Sequence, residues 1–333
     1  MPARWCGCPS GAEAMSPAAL IENFLQALVA GILLGSLYGM MCVGLGLIFG
    51  IMRVINFAQG EFLMLGMYLT LYIVTGLGLT SFLGPYVGPF AGAILAGPVL
   101  MVGGYLLHRY LVSRLTGVRA LGAEGEGHYA QLILTLGVAL VLQNGALILF
   151  GSTPQSVRTP LSSSAWEIGL PFDDFAAVFV NQARVVSAVI SVAATAALYW
   201  FITRARLGKA LRAAADNPEA AIYMGIDVDR AHRIAFGIGT GVTAIAGGLV
   251  ATYYPFQPYV GLDFVIIMYA GVVLGGMGSI TGAFWGGMTI GLVQQLSALV
   301  LPFQLQNVAI FVVFLLIVLV RPQGLYGRSV ERT

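Results

Sequence analysis

The stretch "LIENFLQALVAGILLGSLYGMMCVGLGLIFG" (20–50) carries a single charged side chain, Glu22. A bilayer core requires roughly 20 apolar residues per crossing helix. This run is long enough to span, with length to spare for a break near Gly35 or Gly44. Comparable runs recur at 61–79, 86–107, 129–150, 183–203, 232–254, 264–280, 283–301 and 307–320. The chain as a whole is 58% hydrophobic and 9% charged, against roughly 25% charged residues in a soluble domain. Backbone polar groups in lipid must be satisfied within the segment, so such runs are helices. The fold class is therefore all-α, a polytopic helical membrane protein of eight to nine spans with Gly-interrupted or re-entrant segments. One transmembrane domain over 20–328 is expected, between a disordered tail at 1–19 and a short tail at 329–333.

Charge excludes some functions and orients the rest. Sixteen basic and fourteen acidic residues leave +2, which gives no case for a nucleic-acid partner. If the spans alternate, Arg53, Arg109, Arg114, Arg119, Arg204, Arg206, Lys209, Arg212, Arg230, Arg233, Arg321, Arg328 and Arg332 all fall on one side. The excess of Lys and Arg marks that side as the cytoplasm. The C-terminus is then cytoplasmic and the N-terminus external. Loop 151–182, with Glu167, Asp173 and Asp174, also faces outward, either as a connector or as a docking surface for an external partner. The opening "MPARWCGCPSGAEA" lacks the apolar core of a cleavable signal. An extension preceding a start at Met15 is the expectation, to be checked by mass of the native N-terminus. Cys6, Cys8 and Cys42 form no disulfide framework and no metal set. The three histidines (His108, His128, His232) fall near span ends, where interfacial positions are expected.

Two segments interrupt the apolar pattern informatively. In "NPEAAIYMGI" (217–226), Asn217 is a good N-cap, Pro218 suits the first helical position, and Glu219 meets the positive end of the helix dipole. Ala220 and Met224 share a face, Ala221 lies beside them, and Gly225 can end the helix in the left-handed conformation. A two-turn helix outside the bilayer serves a soluble partner, or is a capped surface turn. In "INFAQGEF" (55–62), Asn56, Gln59 and Glu61 break hydrophobic sequence and mark a functional site or the capping of a helix starting near Gly60. "GGMGSITGAFWGG" (275–287), with Gly275, Gly276, Gly278 and Ser279, has no polar loop and reads as two helices joined at a buried glycine hinge. Residues 55–74 and 274–293 are faintly alike, and matching interrupted segments of a duplicated transporter tend to line the pathway. Asn56, Gln59, Glu61, Gly275, Gly276, Gly278 and Ser279 are therefore expected on the translocation path or at a permease interface.

Glu219-Ala220-Ala221 followed by Gly225 resembles the EAA-x3-G loop of ABC-importer permeases, which sits in a groove of the ATPase. "GSLYGMMCVGLGLIFGIMRVINFAQGEF" (35–62), "LGGMGSITGAFWGG" (274–287) and "RPQGLYGR" (321–328) resemble LivH-type permeases of branched-chain amino-acid ABC importers, and the likeness covers about 20–328. The resemblance implies an inner-membrane subunit working by alternating access with a second, LivM-like permease, two ATP-binding subunits and a periplasmic substrate-binding protein. It also implies that Asn217, Pro218, Glu219, Ala220, Ala221, Met224 and Gly225 couple to the ATPase. Gln59 stands where many members of the family carry His, so an imidazole's role does not transfer. No G-x4-G-K-[S/T] loop exists around Lys209, so ATP hydrolysis is expected on separate chains. No cofactor is implied. The alternatives are a permease for urea or a short amide, and a self-contained transporter coupled to protons through Glu61.

Overall fold

The computed structural model describes residues 17–116, 126–169, 177–302, 305–321 and 323–326. The expected tail at 1–14, Cys6, Cys8, Arg119, Asp173, Asp174, Arg328 and Arg332 lie outside the described residues. The helices in order are α1 (Pro17–Met52), α2 (Gln59–Gly76), α3 (Leu79–Phe82), α4 (Gly84–Leu107), α5 (Ser113–Thr116), α6 (Glu126–Phe150), α7 (Gln182–Arg204), α8 (Arg206–Asp216), α9 (Pro218–Tyr223), α10 (Val228–Ala251), α11 (Val260–Gly275), α12 (Ile280–Ser297) and α13 (Gln306–Val320). A π turn, His108–Val112, joins α4 to α5. The only sheet among the described residues is a hairpin of β1 (Ala165–Gly169) and β2 (Ala177–Asn181), inside the loop expected to face outward.

Five helical segments are long and apolar enough to cross a membrane: Leu20–Met52, Gly84–Val112, Ala130–Phe150, Gln182–Arg204 and Val228–Ala251. α11 and α13 are apolar but shorter. The first and last of the five are 78% and 83% buried within the protein, against 22–33% for the other three, so α1 and α10 form the centre of the bundle. The outer helices turn side chains such as Ile133, Val141, Ile148, Val189 and Trp200 outward, where lipid would meet them.

α1 runs unbroken, so neither Gly35 nor Gly44 is a hinge. Each instead admits a neighbour: Gly35 lies against Met288 of α12, and Gly44 against Gly239 and Thr243 of α10. The expected spans 264–280 and 283–301 each begin three or four residues earlier, as α11 and α12. Gly276 (φ 101) and Gly278 (φ 94) take backbone conformations closed to other residues, and so end α11 before the "GMGS" that a pattern of hydrophobicity alone would include.

α12 is a helix with two glycine faces. Gly282 and Gly286 lie against the backbone of Gly275 and Gly271 on α11, while Gly287 and Gly291 lie against Gly39 and Gly35 on α1. A Cβ on Gly287 would stand 2.5 Å from the Gly39 nitrogen. Lipid supplies no hydrophobic drive for helices to associate, so such close backbone approach is what holds them together.

Gly286→Val is accordingly expected to lower stability by about 1–3 kcal/mol or more, because the atoms it would strike are main chain. Gly145→Val on α6, where a Cβ meets nothing within 4 Å, is the control. Thermal unfolding of the detergent-solubilised protein should show a lowered Tm for the first only. Equal Tm values for the two variants would remove the glycine contacts from any part in stability.

Candidate functional site

At one end of the bundle the chain leaves α7, makes α8 and α9, and returns as α10. The Asn217 side chain accepts from the Ala220 N–H at 3.0 Å, and Pro218 opens the helix. The end is closed twice: the Gly225 N–H donates to Ile222 O and the Ile226 N–H to Ala221 O, each at 2.9 Å, with Gly225 at φ 79. Ala221 is buried against the bundle. Glu219 and Ala220 are exposed, and so are Ile222, Tyr223 (88%) and Met224 (81%). These three make an apolar surface on an element outside the candidate spans.

Arg53 fastens this end to α1. It is the only described non-glycine residue at positive φ (54°), and its guanidinium donates to Ala215 O on α8 at 3.3 Å. The chain then runs without helix through Val54–Phe57 and enters the bundle interior. Asn56, Gln59 and Glu61 are all about 1% exposed or less. The Asn56 amide donates to Gln59 Oε1 at 3.1 Å, and Asn56 Oδ1 accepts from the Ala58 N–H at 3.1 Å. The Gln59 amide donates to Gly239 O at 3.2 Å and to Thr243 Oγ1. Since Gly239 and Thr243 lie near the middle of α10, α2 begins about halfway through the bundle. α11 begins beside it, with Gly60 packed on Gly261. The Glu61 carboxylate lies against Gly261, and its Oε2 has no hydrogen-bond partner among the described residues. It therefore sits in the first turn of α2 and against the first turn of α11, where two positive helix ends favour negative charge.

The glycine turn lies elsewhere. Gly275, Gly276, Gly278 and Ser279 are at the α8–α9 end, where Gly278 touches Gly50 of α1. Ser279 caps α12, its Oγ accepting from the Gly282 N–H at 3.1 Å. The C-terminal segment closes over the turn: the Leu325 N–H donates to Leu274 O at 2.8 Å and the Tyr326 N–H to Gly275 O at 3.1 Å. The structure thus does not bring the Asn56–Glu61 group together with Gly275–Ser279. Instead, a cavity of about 550 Å³ joins the turn to α8 and to the ends of α1 and α7. Arg212 and Asp216 of α8 line it together with Ser279 and Thr281. Reading the sequence did not single out that pair, although charges four residues apart share a helix face. It also missed Thr243 and Gly239.

At the other end, Gln26 of α1 holds the hairpin: its amide donates to Phe179 O at 2.7 Å and accepts from the Phe179 N–H at 2.9 Å. Glu167 on β1 is opposite Phe179 and exposed. His108 lies four residues from the end of the apolar segment Gly84–Val112, near a span end as expected. It opens the π turn, is 1% exposed, and packs at 5.5 Å from the Phe236 ring. His232 is half-buried, and the side chain of His128 lies outside the described residues.

The family model described as branched-chain amino acid transport system / permease component matches residues 27–320. The chain is 32% identical over 310 residues to the high-affinity branched-chain amino acid transport system permease protein LivH of Salmonella typhimurium, covering 92% of this chain and 96% of the relative. It is 30% identical over 312 residues to the corresponding BraD of Pseudomonas aeruginosa, covering 92% and 97%. The autoinducer 2 import system permease protein LsrD of an Enterobacter is 28% identical over 260 residues, covering 72% and 75%. No solved structure matches the chain.

The geometry yields three expectations. Asn56→Leu removes the partner of Gln59 Oε1 and of the Ala58 N–H, a loss of about 1–3 kcal/mol at a buried site. Uptake per mole of assembled complex should fall while assembly persists; undiminished uptake would reduce Asn56 to capping. Gly225 has no neighbour that a side chain would strike, so substitution there acts through the backbone alone. Gly225→Val should weaken co-purification with an ATPase by about 1–2 kcal/mol, whereas Gly225→Asn, which tolerates the left-handed conformation, should not. Glu219→Ala should alter local helix stability by only about 0.3–1 kcal/mol. Loss of transport by that variant in an intact complex would assign the carboxylate a partner contact.

Proposed function

The chain belongs to the family of branched-chain amino acid transport system permease components, and from that premise we propose how its parts serve transport. It is a permease subunit of an ABC importer for branched-chain amino acids, and the match over 27–320 is the observation that carries this reading. ATP is hydrolysed on two separate ATP-binding subunits, one of which receives α9. The exposed Ile222, Tyr223 and Met224 support this docking. A second permease, LivM-like, completes the membrane pair, and a periplasmic binding protein delivers substrate to the hairpin end, where Glu167 is exposed and Asp173 and Asp174 are close in sequence.

The chain crosses the inner membrane nine times, with α2, α11, α12 and α13 adding to the five longer spans. The N-terminus is periplasmic and the C-terminus cytoplasmic, as the basic residues at the α8–α9 end favour. Alternating access opens and closes the bundle about the junction of α2, α10 and α11, with Asn56, Gln59 and Glu61 close to the path. Interrupted helices whose N-termini lie at mid-depth support that assignment. Gly275, Gly276, Gly278 and Ser279 form the fixed turn between α11 and α12 at the cytoplasmic end.

Reconstitution with the partner subunits tests the reading. Leucine uptake into proteoliposomes is expected to require ATP and the leucine-loaded binding protein, and ATP hydrolysis should rise when that protein is added. Uptake by this chain alone under a proton gradient would overturn it.

A further inference from the structure

The cavity of about 550 Å³ at the α8–α9 end, which Gly278 and Ser279 of the turn help to line, has no ligand in the reading above. Its size falls within the roughly 300–1,000 Å³ of small-molecule sites. Its walls divide by chemistry. Leu47 and Ile51 of α1, with Ile202 and Tyr199 of α7, make an apolar side, while Arg212, Asp216, Ser279 and Thr281 make a polar one. Arg212 and Asp216 are four residues apart on one face of α8, yet they form no ion pair. The one Lys/Arg/His–Asp/Glu approach within 4.0 Å among the described residues is Arg233–Asp227. Arg212 spends one N–H on Thr203 O, at 3.1 Å, and keeps the rest of its guanidinium for another acceptor. An exposed cation and an exposed anion one helical turn apart and unpaired, lining a cavity with Leu47, Ile51 and Ile202, match an aliphatic α-amino acid. Arg212 would take the carboxylate, Asp216 the ammonium, and Leu47, Ile51 and Ile202 the side chain.

We propose that this cavity is an inhibitory site for the transported amino acid on the cytoplasmic side, separate from the translocation path. The identity of the ligand rests on the function proposed above. Position supplies the inhibition. A bound amino acid would bridge α8 to α1 and to the first turn of α12, which the glycine contacts hold fixed. α8 meets α9 through Asn217 alone, at once the last cap of α8 and the first of α9. Fixing α8 therefore fixes α9, and an ATPase seated on α9 would have to drag the ligated bundle end with it. Accumulated product then slows its own import.

Two measurements on the purified complex of permeases and ATPases test this. Without binding protein, equilibrium dialysis with radiolabelled leucine should show saturable binding of one leucine per copy of this chain, weakened at least about tenfold by Arg212→Gln and by Asp216→Asn. In proteoliposomes with the cytoplasmic face outward and leucine-loaded binding protein enclosed, external leucine should suppress ATP hydrolysis. Both variants should require about tenfold more leucine for that suppression. Absent saturable binding, or binding and suppression unchanged in both variants, would overturn the proposal. Leucine binding lost in Arg212→Gln, in a complex that the binding protein never stimulates, would uphold the cavity and count against the importer reading instead.

Discussion

Everything at the α8–α9 end depends on how closely three backbones approach one another. α12 touches α11 through Gly282 and Gly286 and touches α1 through Gly287 and Gly291, with glycine on the facing helices as well. Four glycines on one helix are unfavourable for the helix by itself. They are retained because close main-chain approach is what binds helices where lipid competes for every apolar side chain. Once α11 and α12 are fixed this way, the turn between them can only be short, and the C-terminal segment is held by the carbonyls of Leu274 and Gly275. The same sandwich supplies one wall of the cavity.

The junction of α2, α10 and α11 works by another rule. Here polar groups are placed where no water reaches them, and each amide is answered. Gln59 reaches α10, and Asn56 caps the turn before α2. Glu61 is the exception, lying against two helix starts without a hydrogen bond to Oε2. A satisfied network rigidifies, whereas an unpaired buried polar oxygen is costly and is tolerated here beside two helix starts. One short stretch, 56–61, therefore combines a fixed anchor with an unsatisfied acidic group.

How much of this was readable beforehand follows the range of the interactions. α9 was legible to the residue, since Asn217, Pro218 and Gly225 act within one helix of their own positions. The join between α11 and α12 was legible as glycines, but its bounds shifted because positive φ, rather than hydrophobicity, ended α11. Gly35 and Gly44 read as breaks because a glycine looks the same whether it bends its own helix or admits a neighbour. Gln59 was visible as out of place, while its partners Gly239 and Thr243, some 180 residues away, were not. The burial of His108 was not legible because its neighbour Phe236 lies far along the chain. The cavity draws on five separate segments, and no local pattern could assemble it.

α1 can also be considered as a beam. Its 36 residues make a rod about 54 Å long, unbroken and gripped at both extremes. Near its start, the Gln26 amide clasps the hairpin strand at Phe179 from both sides; just past its far end, Arg53 is tied to Ala215. Gln26 and Arg53 stand 27 residues apart along that rod, about 40 Å at the helical rise. The hairpin and α8 are thus held at a set separation by a single helix, which glycine contacts with α10 and α12 also grip between them.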